Sequence, residues 1–96
     1  MHGEYKMPGG KLVVIDLDLR DDQLVDVRLS GDFFLEPDSA LDAINAALTG
    51  QPSDASEADL VAALNGALWP EVMMYGLSPE AIAIAVRRAL QMGNAA

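Results

Sequence analysis

The sequence predicts an α+β domain in which an antiparallel β-hairpin or three-stranded sheet packs, in two layers, against three C-terminal helices. Two adjacent segments alternate apolar and polar residues with a period of two across a short polar turn. Downstream, apolar residues recur at helical spacing in three further segments. The last of these opens on Ser78-Pro79-Glu80, a serine cap followed by proline and an acid in the first turn.

Taken in order, Lys11 to Leu19 sets Val13, Ile15, Leu17 and Leu19 against Val14, Asp16 and Asp18, the pattern of a half-buried strand. Arg20-Asp21-Asp22-Gln23 has the length and polarity of a hairpin turn. Leu24 to Leu29 then alternates again, with Val25, Val27 and Leu29 expected on one face and Asp26 and Arg28 on the other. Gly31 interrupts the alternation, so Asp32 to Leu35 reads as a short third strand or a bulged continuation.

Pro37 suits the first turn of a helix whose apolar stripe is Leu41, Ile44 and Leu48, ending at Gly50. Ser56 and Asp59 form a capping pair ahead of Leu60, Val61, Leu64 and Leu68. The stretch from Trp69 to Leu77 is apolar but contains Pro70 and Gly76, and reads as an ordered connection. In the last helix Ile82, Val86 and Leu90 are spaced by four. Arg87 and Arg88 are expected to complement the helix dipole, and Gly93 to end the helix, with 94–96 frayed. Residues 1–10 read as a glycine-rich loop leading into the first strand, and residues 1–96 as one small domain.

Ninety-six residues support one small core, burying roughly 60–65% of the unfolded surface. The apolar fraction is 51%, much of it alanine, which favours helix but fills little volume. A net charge of −9 argues against nucleic acid and against anionic membranes, both of which require basic residues. With no cysteine, thiol nucleophiles, thiolate metal sites and disulfides are excluded. No apolar run reaches the ~20 residues of a membrane span, and Met1 to Tyr5 lacks signal-peptide features, so a cytoplasmic location is expected.

Rare residues cluster at two places. Of six basic residues, Lys6 and Lys11 flank Met7-Pro8-Gly9-Gly10, and the only two phenylalanines stand together in Asp32-Phe33-Phe34. Glycine amides beside a lysine can cradle an anion. The nucleotide-binding P-loop pattern nevertheless fails, because the upstream glycine spacing is wrong, Leu12 replaces Ser or Thr, and a strand follows instead of a helix. The loop reads either as a plain turn or as a segment lending Lys6 or Lys11 to a partner's anionic ligand.

Adjacent phenylalanines in a strand point to opposite faces, so one joins the core and the other faces outward, where it is either a docking residue or covered by a helix of the same chain. Trp69, Met73, Met74 and Tyr75 carry the same pair of readings. Asp38-Ser39-Ala40-Leu41 is similar to the Asp-Ser-Leu motif of acyl carrier proteins, but those are all-helical, so Ser39 reads first as an ordinary first-turn residue. The lone His2 has no convergent partners expected on rigid elements, and the hairpin carboxylates Asp16, Asp18, Asp21, Asp22 and Asp26 read as a solvated face. Neither a metal site nor a catalytic set emerges.

Three segments together resemble the C-terminal accessory domain of lipoate–protein ligase, which in some organisms is a separate small subunit of a two-part ligase. They are Lys6-Met-Pro-Gly-Gly-Lys-Leu12, Ser30-Gly-Asp-Phe-Phe-Leu-Glu-Pro37 and Tyr75-Gly-Leu-Ser-Pro-Glu-Ala-Ile82. The resemblance implies a subunit that is not catalytic alone. Its partner would be a catalytic domain that binds ATP and lipoate, forms lipoyl-adenylate and transfers the lipoyl group to a lysine of an acceptor protein. This chain would bind no cofactor by itself and meet the acceptor only indirectly. Lys6, Gly9, Gly10 and Lys11 would then lie near the adenylate or the shared interface, and Asp32, Phe33 and Phe34 at the partner interface. A stand-alone interaction module with no ligase role is the alternative.

Overall fold

The computed structural model describes residues 1–9 and 11–94. It contains β1 (His2–Lys6), β2 (Leu12–Arg20), β3 (Gln23–Gly31), β4 (Phe34–Glu36), α1 (Ser39–Leu48), α2 (Glu57–Ala67), β5 (Met73–Tyr75) and α3 (Pro79–Asn94). β1, β2 and β3 form an antiparallel sheet in that spatial order, and β4 pairs with β5 in a second, two-stranded ribbon. The α+β class is therefore present, but the third strand comes from an unexpected place. It is the N-terminal segment His2–Lys6, within the stretch expected as a loop, while Phe34–Glu36 leaves the main sheet to pair with the Trp69–Leu77 connection.

The helices cover one face of the sheet. α3 lies on β1 and β2, α1 on β3, and α2 on both α1 and α3. Val13, Ile15, Leu17, Leu24, Val27 and Leu29 from the sheet meet Ile44, Leu48, Leu60, Leu64, Ile82, Val86 and Leu90 from the helices. β1 approaches α3 at backbone contact: a Cβ on Gly3 would stand 2.2 Å from the Ala85 carbonyl oxygen and 2.5 Å from the Ala89 nitrogen. The buried row Ala81, Ala85 and Ala89 leaves the room for this approach. The abundance of alanine thus serves close strand–helix packing.

The β2–β3 turn holds Asp21 and Asp22 at φ 53° and 63°, both left-handed, as a two-residue hairpin of opposite-handed turn type requires. Along β3 the expected alternation slips. Asp16 pairs with Arg28 but Asp18 with Val25, so Leu17 opposes both Asp26 and Val27 in a β-bulge, with Asp26 at φ 51°. The bulge moves Leu24 into the core beside Val27 and Leu29, and leaves Val25 half-buried.

Beyond the bulge, the outer edge of β3 is covered. Leu24 exchanges backbone hydrogen bonds with Gly50 and Gln51, and the Leu29 amide donates to Asn45 Oδ1 at 3.1 Å. An edge so occupied cannot template pairing with another chain.

α1 starts after Asp38, so Pro37 precedes the helix instead of standing in its first turn. Ser56 and Asp59 form the reciprocal capping box expected for α2. Ser78 Oγ accepts from the Ala81 amide at the start of α3. α3 continues through Gly93 to Asn94, so Gly93 does not end it, and residues 95–96 of the expected frayed tail lie outside the described residues. Because α3 runs on, Arg87 and Arg88 fall before its last turn and serve as tethers. Arg87 donates to the Ser53 and Ala55 carbonyls at 3.0 and 3.1 Å. Arg88 donates to the Glu4 carbonyl at 3.0 Å and lies 5.1 Å from the centre of the Tyr5 ring.

Candidate functional site

The three segments singled out in the sequence converge at one end of the molecule. The Met7 amide donates to the Lys11 carbonyl at 2.7 Å, closing the glycine loop as the connection between β1 and β2. The Asp32 amide donates to the Leu12 carbonyl at 3.0 Å, which brings the end of β3 against the start of β2. Gly76, directly after β5, lies under the side chain of Lys11: a Cβ there would stand 2.6 Å from Lys11 Cγ. Gly76 also has φ 72°, a left-handed conformation that L side chains disfavour. Glycine at this position therefore lets the chain turn out of β5 and lets Lys11 lie across it.

Each expected site residue can now be placed. Lys6 ends β1 on the solvent face of the sheet, opposite Leu12. Gly9 is exposed in the loop, and Gly10 lies outside the described residues. Lys11 is exposed overall although its stem rests on Gly76. Asp32 is exposed. Phe33 is half-buried against the core, whereas Phe34 is 69% exposed, so the pair divides between the two faces as the alternation requires. Ser39 is an exposed first residue of α1.

Phe34 is joined by residues the sequence places forty positions away. β4 and β5 pair Phe34 with Tyr75, Leu35 with Met74, and Glu36 with Met73. Leu35 and Met74 turn inward to the core, and Phe34, Tyr75 and Met73 turn outward, the latter two at 54% and 49% exposure. Tyr75 Oη donates to Met73 Sδ at 4.0 Å. Beside this face a groove of about 300 Å³ is lined by Phe33, Phe34, Leu35, Asp38 and Leu41. The available sign of β5 was a run of three apolar residues, Met73-Met74-Tyr75, between Pro70 and Gly76, but so short a run declares no period.

The solvent face of the main sheet carries the other polar cluster. His2 is held in β1 between two carboxylates, with Nδ1 2.7 Å from Asp16 Oδ1 and Nε2 2.6 Å from Glu4 Oε2. Both ring nitrogens can donate only in the imidazolium form. The hydrogen bonds to Glu4 and then Asp16, with their negative charge, raise its pKa above the ordinary histidine value. His2 falls within the segment expected as a loop; the strand pairing His2 with Asp16 is what fixes it. A second, charged concavity of about 290 Å³ sits at the bulge, between Asp18, Asp26, Val27 and Arg28. Among the described residues, no group of three or more histidine, aspartate or glutamate side chains is arranged to hold a metal ion, and no helix is long and apolar enough to cross a membrane.

Chemically, the convergent end offers an exposed lysine whose stem lies on Gly76, and an apolar ribbon with carboxylates around it. Such a set can bind an anion and a protein surface.

No protein-family model matches the sequence, and no curated protein does. Among solved structures the chain is similar to one from the archaeal lipoylation system of Thermoplasma acidophilum, a bi-partite lipoate protein ligase and its E2 lipoyl domain. The TM-score is 0.65 at 26% sequence identity, covering 91% of this chain and 98% of that one. The resemblance read from the three segments is thus accompanied by a likeness in fold over nearly the whole chain.

Proposed function

We propose that this chain is the accessory, non-catalytic part of an ATP-dependent lipoate–protein ligase, supporting formation of lipoyl-adenylate by a separate catalytic domain. The observation that carries the reading is the likeness, over 91% of the chain, to a chain of a bi-partite lipoate ligase system. The convergence of the three resembling segments at one end of the molecule supports it, because it gathers Lys11, Gly76 and Phe34 into one surface that a partner could meet.

On this reading the partner binds ATP and lipoate. The lipoate carboxylate attacks the α-phosphorus of ATP, pyrophosphate leaves, and the acceptor lysine's amine then attacks the acyl carbon of the adenylate, forming an amide and releasing AMP. Lys11 is a positioning residue in this scheme. Its stem rests on Gly76, so its ammonium can be held towards a phosphate or carboxylate at the edge of the partner's site without reacting. Charge-assisted contacts of this kind are worth roughly 1.5–3 kcal/mol. The acceptor protein meets the complex through the catalytic domain, and the complex works in the cytoplasm.

The test is an adenylation assay. The ligase catalytic domain encoded in the same genome is incubated with lipoate and ATP, and lipoate-dependent exchange of pyrophosphate into ATP is followed with and without this chain. Exchange is expected to depend on the chain. Equal exchange in both arms would sink the proposal.

A further inference from the structure

We infer that the outward face of the β4–β5 ribbon, centred on Phe34, Tyr75 and Met73, is the surface on which the ligase catalytic domain docks, and that the docked surface is apolar with basic side chains around it. The inference rests on the functional reading above and adds to it the face, the residues and the chemistry of the partner.

Of the four large apolar side chains exposed in the described structure, three lie on this one face. They belong to strands far apart in sequence that the fold brings into register, Phe34 opposite Tyr75 and Met73 two residues along. The ribbon buries Leu35 and Met74 on its inner side, so its outward residues are not needed for the core. Aromatic side chains lose little conformational freedom on docking and contribute most where water is fully excluded, which suits Phe34 and Tyr75 to the centre of an interface. The adjacent groove, about 300 Å³ and floored by Phe33, Leu35 and Leu41, can take one apolar side chain of the partner.

Charge selects the occupant. Glu36 projects on the same side of the ribbon as Met73, Asp38 lines the groove, and Asp32 and Glu71 are exposed just before β4 and β5. On a chain of net charge −9 this rim would repel a second copy of itself or an anionic lipid surface, and would attract a protein with lysine or arginine around an apolar centre. The ribbon is also continuous with Gly76 and hence with Lys11, so a partner seated on it would bring its own site up to the lysine loop.

The experiment measures the dissociation constant between this chain and the ligase catalytic domain from the same genome, by calorimetry at low and moderate salt. Phe34→Ser with Tyr75→Ser is expected to weaken binding at least about tenfold, the effect of one lost hot-spot side chain. Glu36→Lys with Asp38→Lys is expected to weaken it and to reduce the salt dependence. Unchanged thermal melting of each variant shows that the fold is intact. If the wild-type chain binds and both variants bind equally well, the surface assignment falls while the functional reading stands. If the wild-type chain does not bind, both fall. If instead the chain alone sediments as a dimer that the ribbon variants dissociate, the occupant is a second copy and the inference is overturned.

Discussion

Lys11 lies across Gly76 so closely that a methyl group on residue 76 would stand 2.6 Å from Lys11 Cγ. A lysine whose stem is supported by backbone has fewer rotamers to lose when its ammonium meets an anion. Lys11→Ala is therefore expected to slow lipoate adenylation by the assembled ligase about tenfold, the worth of roughly 1.5 kcal/mol of charge-assisted contact. Its unfolding curve and its affinity for the catalytic domain should change little. An undiminished adenylation rate would remove Lys11 from the site.

Gly76→Ala probes the same contact from the other side. At φ 72° a side chain costs roughly 1 kcal/mol, and the new methyl must also push Lys11 away. The variant should lose about that much stability in denaturant unfolding and should also lose adenylation support beyond what the stability change explains. A stability loss with full activity would separate the lysine from its supposed seat.

Gly3 is expected to be sensitive to any added side chain. Its missing side chain would fall 2.2 Å from the Ala85 carbonyl oxygen and 2.5 Å from the Ala89 nitrogen, both backbone atoms that cannot turn aside. Gly3→Ala must separate β1 from α3 and should cost about 3 kcal/mol in chemical denaturation, within the range for overpacked cores. Because Arg88 bonds the Glu4 carbonyl and covers Tyr5, the same shift should expose the Tyr5 ring, which its fluorescence would report.

The reason β1 escaped a reading of the sequence is this same glycine. The inward residues of His2–Lys6 are Gly3 and Tyr5, so the strand has no apolar alternation to display. β2 was legible because Val13, Ile15 and Leu17 are all apolar and all buried. β3 was legible as a strand but not in phase, because a bulge depends on how two strands pair and not on either sequence alone. The helices were legible through their spacing and, for α2 and α3, their caps, whereas the length of α3 was not, since a glycine near a helix end reads as a stop and α3 runs through Gly93. At the site, the division of Phe33 and Phe34 followed from alternation. The meeting of Phe34 with Tyr75, and of Lys11 with Gly76, is long-range and no local pattern encodes it.

His2 makes stability depend on pH in a definite direction. Hydrogen bonds to Glu4 and Asp16 raise its folded pKa above the unfolded value. The folded state then holds the proton more tightly, so the contribution is fully present below the unfolded histidine pKa. It is lost as pH rises through the folded one. The side chain is about half exposed, so the effect should be small. Titration of the His2 ring by NMR should give a pKa above that of a free histidine, and Glu4→Gln with Asp16→Asn should bring it back. A wild-type titration at or below the free value would show that the two carboxylates do not hold the proton.

The Asp21-Asp22 turn offers a stabilising change. Both residues sit at left-handed φ, 53° and 63°, and both add negative charge to a chain already at −9. The two-residue hairpin that joins right-twisted strands favours glycine at its second position. The Asp22 contact that matters is its backbone carbonyl, which accepts from the Ser53 amide, so replacing the side chain leaves it in place. Asp22→Gly relieves the left-handed strain and removes one repelling carboxylate, against the larger chain entropy that glycine releases on unfolding. The strain relief, roughly 1 kcal/mol, should exceed the entropic term by a small margin. A higher melting midpoint for Asp22→Gly, together with a lower one for Asp22→Val, whose branched side chain tolerates positive φ poorly, is the expected pair of results. Equal midpoints for the two variants would mean that the turn is not held in this conformation.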